Sequence, residues 1–186
     1  MSKPYTLNEL LIITIAKEIR DDENVVLGVG LPMIAGALAK ALFAPRATLI
    51  MEAGIIGFQP TMPMENVADC TAFRGFSCST DLFSTFTMTY RGFVHVCFLG
   101  VAQLDKYGNF NTTVKGDDDK PDFRVRSSGG AAGWFRRAAA SQRLLHELDA
   151  AMLQIADALN ERQAVVVRAV PGALGEIDPC GRELLV

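Results

Sequence analysis

The first hundred residues switch repeatedly between a hydrophobic period suited to helices and one suited to strands. Thr6-Leu7-Asn8-Glu9 has the form of a capping box. Behind it Leu10, Leu11, Ile13, Ile15 and Ala16 predict a helix that ends near Asp21. Asn24 to Val29 is short and β-branched and reads as a strand. Pro32 suits the first turn of a second helix, whose Ile34, Ala37, Leu38, Ala41 and Leu42 recur at helical spacing before Pro45 stops it. Ala47 to Met51 is the next strand. Strand, helix and strand in so few residues imply a right-handed crossover and a parallel sheet, so the expected class is α/β, an open mostly parallel sheet with flanking helices.

The middle of the chain is less regular. Gln59 to Val67, with Pro60 and Pro63, reads as a loop. Phe73, Phe76, Phe83, Phe86 and Phe93, together with Cys70 and Cys78, suggest core or subunit contact in preference to a cofactor box. Val94 to Leu99 is a buried strand running into Gly100, and His95 within it is expected to be a hydrogen-bonded core or interface residue. Asp105-Lys106-Tyr107-Gly108-Asn109 makes a turn. Lys115 to Arg126 reads as a charged, solvated loop in which Arg124 or Arg126 could face an anionic ligand. Further on, Leu144, Leu145, Leu148, Ala151, Met152, Ile155, Ala156 and Leu159 keep a helical period, Val165 to Val167 could be a strand, and Pro171 to Val186 looks irregular.

Composition narrows the function. The 186 residues are 49% hydrophobic, which suits one domain, 1–186, with a large core. A formal charge of -3 without long single-sign runs leaves no basic footprint for nucleic acid. Met1-Ser2-Lys3-Pro4-Tyr5 lacks the order of a signal peptide. No apolar run reaches the ~20 residues of a membrane span, so no membrane association is expected and a cytoplasmic location is. Cys70, Cys78, Cys97 and Cys180 lack metal-site or disulfide spacing and are expected to be buried, reduced thiols.

Two places carry candidate chemistry. Glu52 ends the apolar run Ala47 to Met51 and is followed by Ala53-Gly54-Ile55-Ile56-Gly57. A lone carboxylate delivered by a buried strand into a glycine-rich bend loses water and needs compensation, so packing explains it poorly. At the C-terminal edge of a parallel sheet the same placement presents a nucleophile. Gly28 and Gly30 lie between a strand and a helix, where backbone can approach a phosphate. Met33 stands where a dinucleotide fingerprint has its third glycine, which argues against nucleotide binding.

Five segments in this order resemble the β-subunit of family I CoA-transferases, most closely the glutaconate CoA-transferase type. They are Gly28-Val29-Gly30-Leu31-Pro32, Phe43-Ala44-Pro45, Met51-Glu52-Ala53-Gly54, Gly100 to Thr113, and Ser127-Ser128-Gly129-Gly130-Ala131. Within the fourth, Gln103-x-Asp105-x-Tyr107-Gly108-Asn109-x-Asn111 is the most specific. The resemblance runs from the first helix to Ala131, and residues 132–186 depart from the family pattern. It implies a CoA-transferase-like fold with a Rossmann-like core. It also implies an α-subunit of related fold completing the active site, in an α2β2 or larger assembly.

The resemblance further implies that Glu52 attacks the thioester carbonyl of an acyl-CoA. Exchange through a glutamyl-CoA thioester then passes CoA to an acceptor carboxylate, with CoA as substrate and no metal or organic cofactor. Oxyanions formed on this path need preorganised N–H donors. Gly28, Gly30, Gly129, Gly130 and Ala131 could supply them, or could be tight turns and nothing more. Asp105 and Asn109 suit a structural role, Tyr107 and Asn111 belong to the same hydrogen-bonded loop, and Gln103 is open between fold and substrate. An acyl-CoA hydrolase or decarboxylase on the same fold, and a non-catalytic subunit, stand as alternatives.

Overall fold

The computed structural model describes residues 5–60, 64, 66, 69–101, 103–104, 110–111, 113–116, 119–124 and 163–168. Helix α1 (Leu7–Glu18) opens on the expected capping box: the Thr6 hydroxyl accepts from the Glu9 amide, and the Glu9 carboxylate accepts from the Thr6 amide at 2.7 Å. It stops three residues short of Asp21. Ile19 turns extended and buries its side chain instead. Strand β1 (Asn24–Leu27) follows, then α2 (Leu31–Leu42) with Pro32 in its first turn, then β2 (Thr48–Met51). The Lys40 ammonium donates to the carbonyls of Pro45 and Ala47 and closes the C-terminal end of α2.

After β2 the chain bends into the short β3 (Ile55–Ile56), a 3-10 turn (Cys70–Phe73), β4 (Cys78–Ser79) and α3 (Leu82–Tyr90). Strand β5 (Val96–Val101) then leads to β6 (Gln103–Leu104), β7 (Phe110–Asn111), β8 (Val114–Gly116) and β9 (Pro121–Arg124), and β10 (Gln163–Arg168) is the last described strand. The main sheet has the order β10-β5-β1-β2-β3-β4. β5, β1 and β2 run parallel at its centre, and β10, β3 and β4 are antiparallel at the margins. This is the expected α/β sheet, with a parallel centre that the short edge strands extend. Two small antiparallel pairs, β6 with β7 and β8 with β9, lie outside it.

The alternate residues Val25, Leu27, Leu49, Met51, Val96 and Phe98 join Leu11, Ile15 and Ile19 of α1 and Met33, Ala35 and Ala39 of α2 in one core. Their neighbours Val26, Ile50, Cys97 and Leu99, one register step away, are buried as well. Both faces of the central strands are therefore dry, which is why those strands read as continuous apolar runs and not as alternating ones. Gly36 lets α2 sit directly on the sheet, since a Cβ there would meet Leu27 Cδ1 at 2.3 Å.

Four expectations are corrected. Among the described cysteines only Cys97 is buried, while Cys70 and Cys78 are exposed. Of the two readings of the phenylalanines, core or subunit contact, the core one fails for Phe73, Phe76, Phe83 and Phe93: Phe83 is 79% exposed, and Phe73 and Phe76 stack edge to face at the surface. For Phe83 the reason lies in α3, which is inverted. Thr85 and Thr89 face inward, each hydroxyl donating to the carbonyl four residues back, so that burial leaves neither unsatisfied. The aromatic Phe83 is thereby turned outward. His95 precedes β5 instead of lying within it, though it is hydrogen-bonded as expected: its Nδ1 accepts from the Asn24 amide at 2.9 Å. Finally, the charged stretch 115–126 holds the hairpin β8–β9, with Val114 opposite Arg124. The amphipathic segment 144–159, the Asp105 to Asn109 turn and the divergent tail lie outside the described residues, apart from β10, which includes the expected strand Val165 to Val167.

Candidate functional site at the C-terminal edge of the sheet

Register alone brings the candidate residues together. Leu27 pairs with both Met51 and Phe98, so Gly28 and Glu52, just past β1 and β2, stand level with Leu99, which is still within β5. That edge is where open α/β sheets bind ligands, because loops diverge there and leave a crevice.

Glu52 follows β2 directly and is half-buried. The Gly54 amide donates to the Met51 carbonyl at 2.9 Å, closing a β-turn with Glu52 and Ala53 at its centre. The turn is anchored beyond itself. Thr80 N–H donates to the Gly54 carbonyl at 2.8 Å; farther on, outside the turn, Gly57 N–H donates to Leu49 O at 2.8 Å and holds β3 beside β2. Gly54 has φ +102°, and a Cβ on it would lie 2.0 Å from the Thr80 carbonyl oxygen. No residue but glycine fits there without moving backbone. The carboxylate-bearing turn is thus held from both sides, by its own strand and by the segment entering α3.

The two glycines after β1 serve different ends. Gly28 donates to Phe98 O at 2.7 Å, and a Cβ there would stand 3.1 Å from that oxygen and 3.3 Å from Leu99 Cα. It is a packing glycine that lets β1 and β5 run close at the edge. Gly30 has φ +90° and ψ −130°, a conformation reserved to glycine, and a Cβ on it would meet nothing within 4 Å. Among the described residues its backbone therefore adjoins open space. The start of α2 is poor in donors, because Pro32 has no N–H and the amides of Met33 and Ile34 both return to the Gly30 carbonyl. This does not suit a pyrophosphate cradle of the dinucleotide kind.

Gln103 lies just past β5 on the same edge, its backbone paired with Asn111. Asn111 Oδ1 accepts from the Thr113 amide at 2.9 Å, a local turn that fits the structural reading of this stretch. Gly129, Gly130 and Ala131 lie outside the described residues, as do Asp105, Tyr107 and Asn109. The segment that sequence reasoning missed is Ser77 to Asp81, which touches the Glu52 turn through backbone. Asp81, Leu82, Phe83 and Ser84 carried a readable sign, an acidic N-cap: the Asp81 carboxylate accepts from the Ser84 amide at 2.9 Å, which holds it below the usual carboxylate range. What the cap lies against was not readable. At the opposite edge of the sheet Arg46 pairs with Asp21 and Asp22, far from this chemistry.

Residues 8–141 match the coenzyme A transferase family. The chain is 34% identical over 134 residues to the β-subunit of glutaconate CoA-transferase from Acidaminococcus fermentans, covering 69% of this chain and 50% of that protein. It is 34% identical over 128 residues to the β-subunit of 3-oxoadipate CoA-transferase from Pseudomonas knackmussii, covering 68% and 49%. The chain thus spans about half the length of these relatives. Among solved structures it resembles the glutaconate coenzyme A-transferase of A. fermentans, with a TM-score of 0.64, 32% identity and 69% and 52% of the two chains covered. It also resembles the decarboxylase AibA/AibB, with a TM-score of 0.63, 29% identity and 72% and 56% covered.

Proposed function

This chain belongs to the coenzyme A transferase family, and from that membership we propose that it acts as the β-subunit of a CoA-transferase with Glu52 as its nucleophile. The observation that carries the reading is Glu52 itself, half-buried in an anchored turn at the C-terminal edge of a parallel sheet. Its carboxylate attacks the carbonyl carbon of an acyl-CoA thioester, expelling CoA thiolate and leaving an acyl-glutamyl anhydride. The thiolate then attacks the glutamyl carbonyl, releasing the donor carboxylate and forming glutamyl-CoA thioester. An acceptor carboxylate repeats the two steps in reverse order and departs as the new acyl-CoA. The anhydrides are the more activated intermediates, but overall one thioester replaces another, so neither a metal nor an organic cofactor is needed.

Each attack places negative charge on a carbonyl oxygen, and a lost donor at such an oxygen costs about 2.7–4 kcal/mol of barrier. The Gly30 backbone, which adjoins open space, is the described candidate for that region, and Gln103, Gly129, Gly130 and Ala131 are proposed around it. A partner supplies the rest. The glutaconate and 3-oxoadipate relatives are both β-subunits, and the outward-facing aromatics of α3 and its flanks offer an apolar surface suited to an α-subunit, in an α2β2 or larger assembly. A short-chain acyl-CoA and a mono- or dicarboxylate acceptor are the proposed substrates.

The likeness to AibA/AibB favours one competing reading, decarboxylation on the same scaffold. The test separates the two. The assembled enzyme is incubated with acyl-CoA and then with borohydride, which reduces a glutamyl thioester but not a carboxylate. Transfer chemistry predicts inactivation only after acyl-CoA and an alcohol at position 52 by peptide mass. Turnover without such sensitisation, accompanied by release of carbon dioxide, would replace the transferase reading with the decarboxylase one.

A further inference from the structure

We infer that the junction between β4 and α3, Thr80 with the Asp81 cap, positions Glu52: it holds the turn that aims the carboxylate, and its effect is on the chemical step and not on substrate binding. The inference rests on the proposal that Glu52 is the nucleophile, and it concerns residues that touch no substrate.

Three observations converge on this junction. The turn from Met51 to Gly54 is closed by Gly54 N–H donating to Met51 O at 2.9 Å, with Glu52 and Ala53 at its centre. The outward side of that turn is fixed by the Thr80 N–H to Gly54 O bond, 2.8 Å long, and by contact so close that a Cβ on Gly54 would overlap the Thr80 carbonyl at 2.0 Å. Thr80 in turn is fixed from both ends. On one side β4 pairs with β3, Ile55 opposite Ser79 and Ile56 opposite Cys78. On the other, Asp81 caps α3 through the Ser84 amide and hydroxyl at 2.9 and 2.8 Å, while the buried Thr85 hydroxyl donates back to the Asp81 carbonyl at 3.0 Å. A rigid helix start, seated by a satisfied buried threonine, therefore transmits its position through one residue to the turn bearing Glu52. A reacting group displaced by about 1 Å loses on the order of a hundredfold in rate, so such a seat matters for catalysis well before it matters for folding.

Gly57 provides the control. It too has positive φ, +73°, and belongs to the same β2–β3 margin, but a Cβ on it would meet the Ser77 side chain and not the Glu52 turn. Four variants, Gly54→Ala, Gly57→Ala, Asp81→Ala and Asp81→Asn, are purified assembled with the partner subunit. Each is measured for Tm, kcat and KM for acyl-CoA, alongside Glu52→Gln. Gly54→Ala is expected to lower kcat about a hundredfold with KM changed less than about threefold, whereas Gly57→Ala, at comparable loss of Tm, keeps kcat within about threefold. Asp81→Ala should lower kcat about tenfold, and Asp81→Asn, which retains the capping oxygen, should restore it. If Gly54→Ala fails to assemble, the Asp81 pair decides the matter alone. Equal kcat losses in the Gly54 and Gly57 variants, a rise in KM in place of a fall in kcat, or failure of Asp81→Asn to restore the rate would overturn the positioning role. Full turnover in Glu52→Gln would instead remove the nucleophile assignment, which is a separate outcome from any of these.

Discussion

Glu52 and Cys97 show how differently one environment treats two ionisable side chains. Cys97 sits on a central strand with its thiol desolvated, and burial pushes it up to about 12, so at neutral pH it carries no thiolate. Cys70 and Cys78 are exposed on the segments around the 3-10 turn and β4. Brief alkylation of the native protein should therefore label those two and spare Cys97 until denaturant is added, as peptide mass spectrometry would register. Labelling of Cys97 under native conditions would mean that the central strands open easily. Glu52 follows β2, on the far side of β1 from Cys97, and lies one residue beyond the dry zone, where a turn leaves it only half-buried. Glu52→Gln is isosteric and removes no core volume, so melting should shift little while transfer falls at least about a thousandfold. An unfolded Glu52→Gln protein would show that the carboxylate holds the fold instead.

Among the elements, α1 and α3 owe their starts to side-chain caps, and α3 is inverted. Thr6→Ala removes the hydroxyl end of the α1 capping box and should cost about 1 kcal/mol, lowering Tm by about 2–4 °C in a denaturation scan. Acid should erode the same caps. The Thr6 backbone amide, then its hydroxyl, holds the Glu9 carboxyl below its ordinary 4.5, and the Ser84 amide holds Asp81 below its ordinary 3.8. Because both folded values are depressed, the stability they contribute is present above the unfolded values and is lost as pH falls through the folded ones. Melting temperature should thus decline below about pH 4.5, and Asp81→Asn should flatten the lower part of that decline, whereas a variant with an unchanged acid limb would deny the cap a charged role. The inversion of α3 has a simpler reading. Its threonines satisfy their hydroxyls internally, which frees the helix to bury them and to offer Leu82 and Phe83 outward.

For the whole molecule, exposed aromatics and a site at one sheet edge both point beyond the single chain. Purified alone, it should bind an apolar dye and show no transferase activity; adding the partner subunit should quench the dye signal and create activity together. Full activity from the single chain would refute the need for a partner. Phe83→Asp should weaken that assembly while leaving the chain's own Tm nearly unchanged, since the ring packs on little within it. Much of this molecule was legible in its amino-acid order. The Thr6 capping box, the Pro32 helix start, the β-branched runs and Glu52 at the tip of a strand are local signals, set by backbone hydrogen bonding and side-chain period over a few residues. The glycines at 54 and 57 were legible as a bend only. What tertiary structure alone decided was everything that depends on distant segments meeting. It turned Phe83 outward by burying threonines whose hydroxyls their own helix satisfies, and it split the roles of Gly28 and Gly30 by bringing β5 against the first and no described atom against the second. It also set Thr80 against Gly54. The Thr80–Gly54 contact joins residues 26 positions apart and the Phe98–Gly28 contact residues 70 apart, and no hydrophobic period reports them, because they are made by backbone atoms that every residue shares.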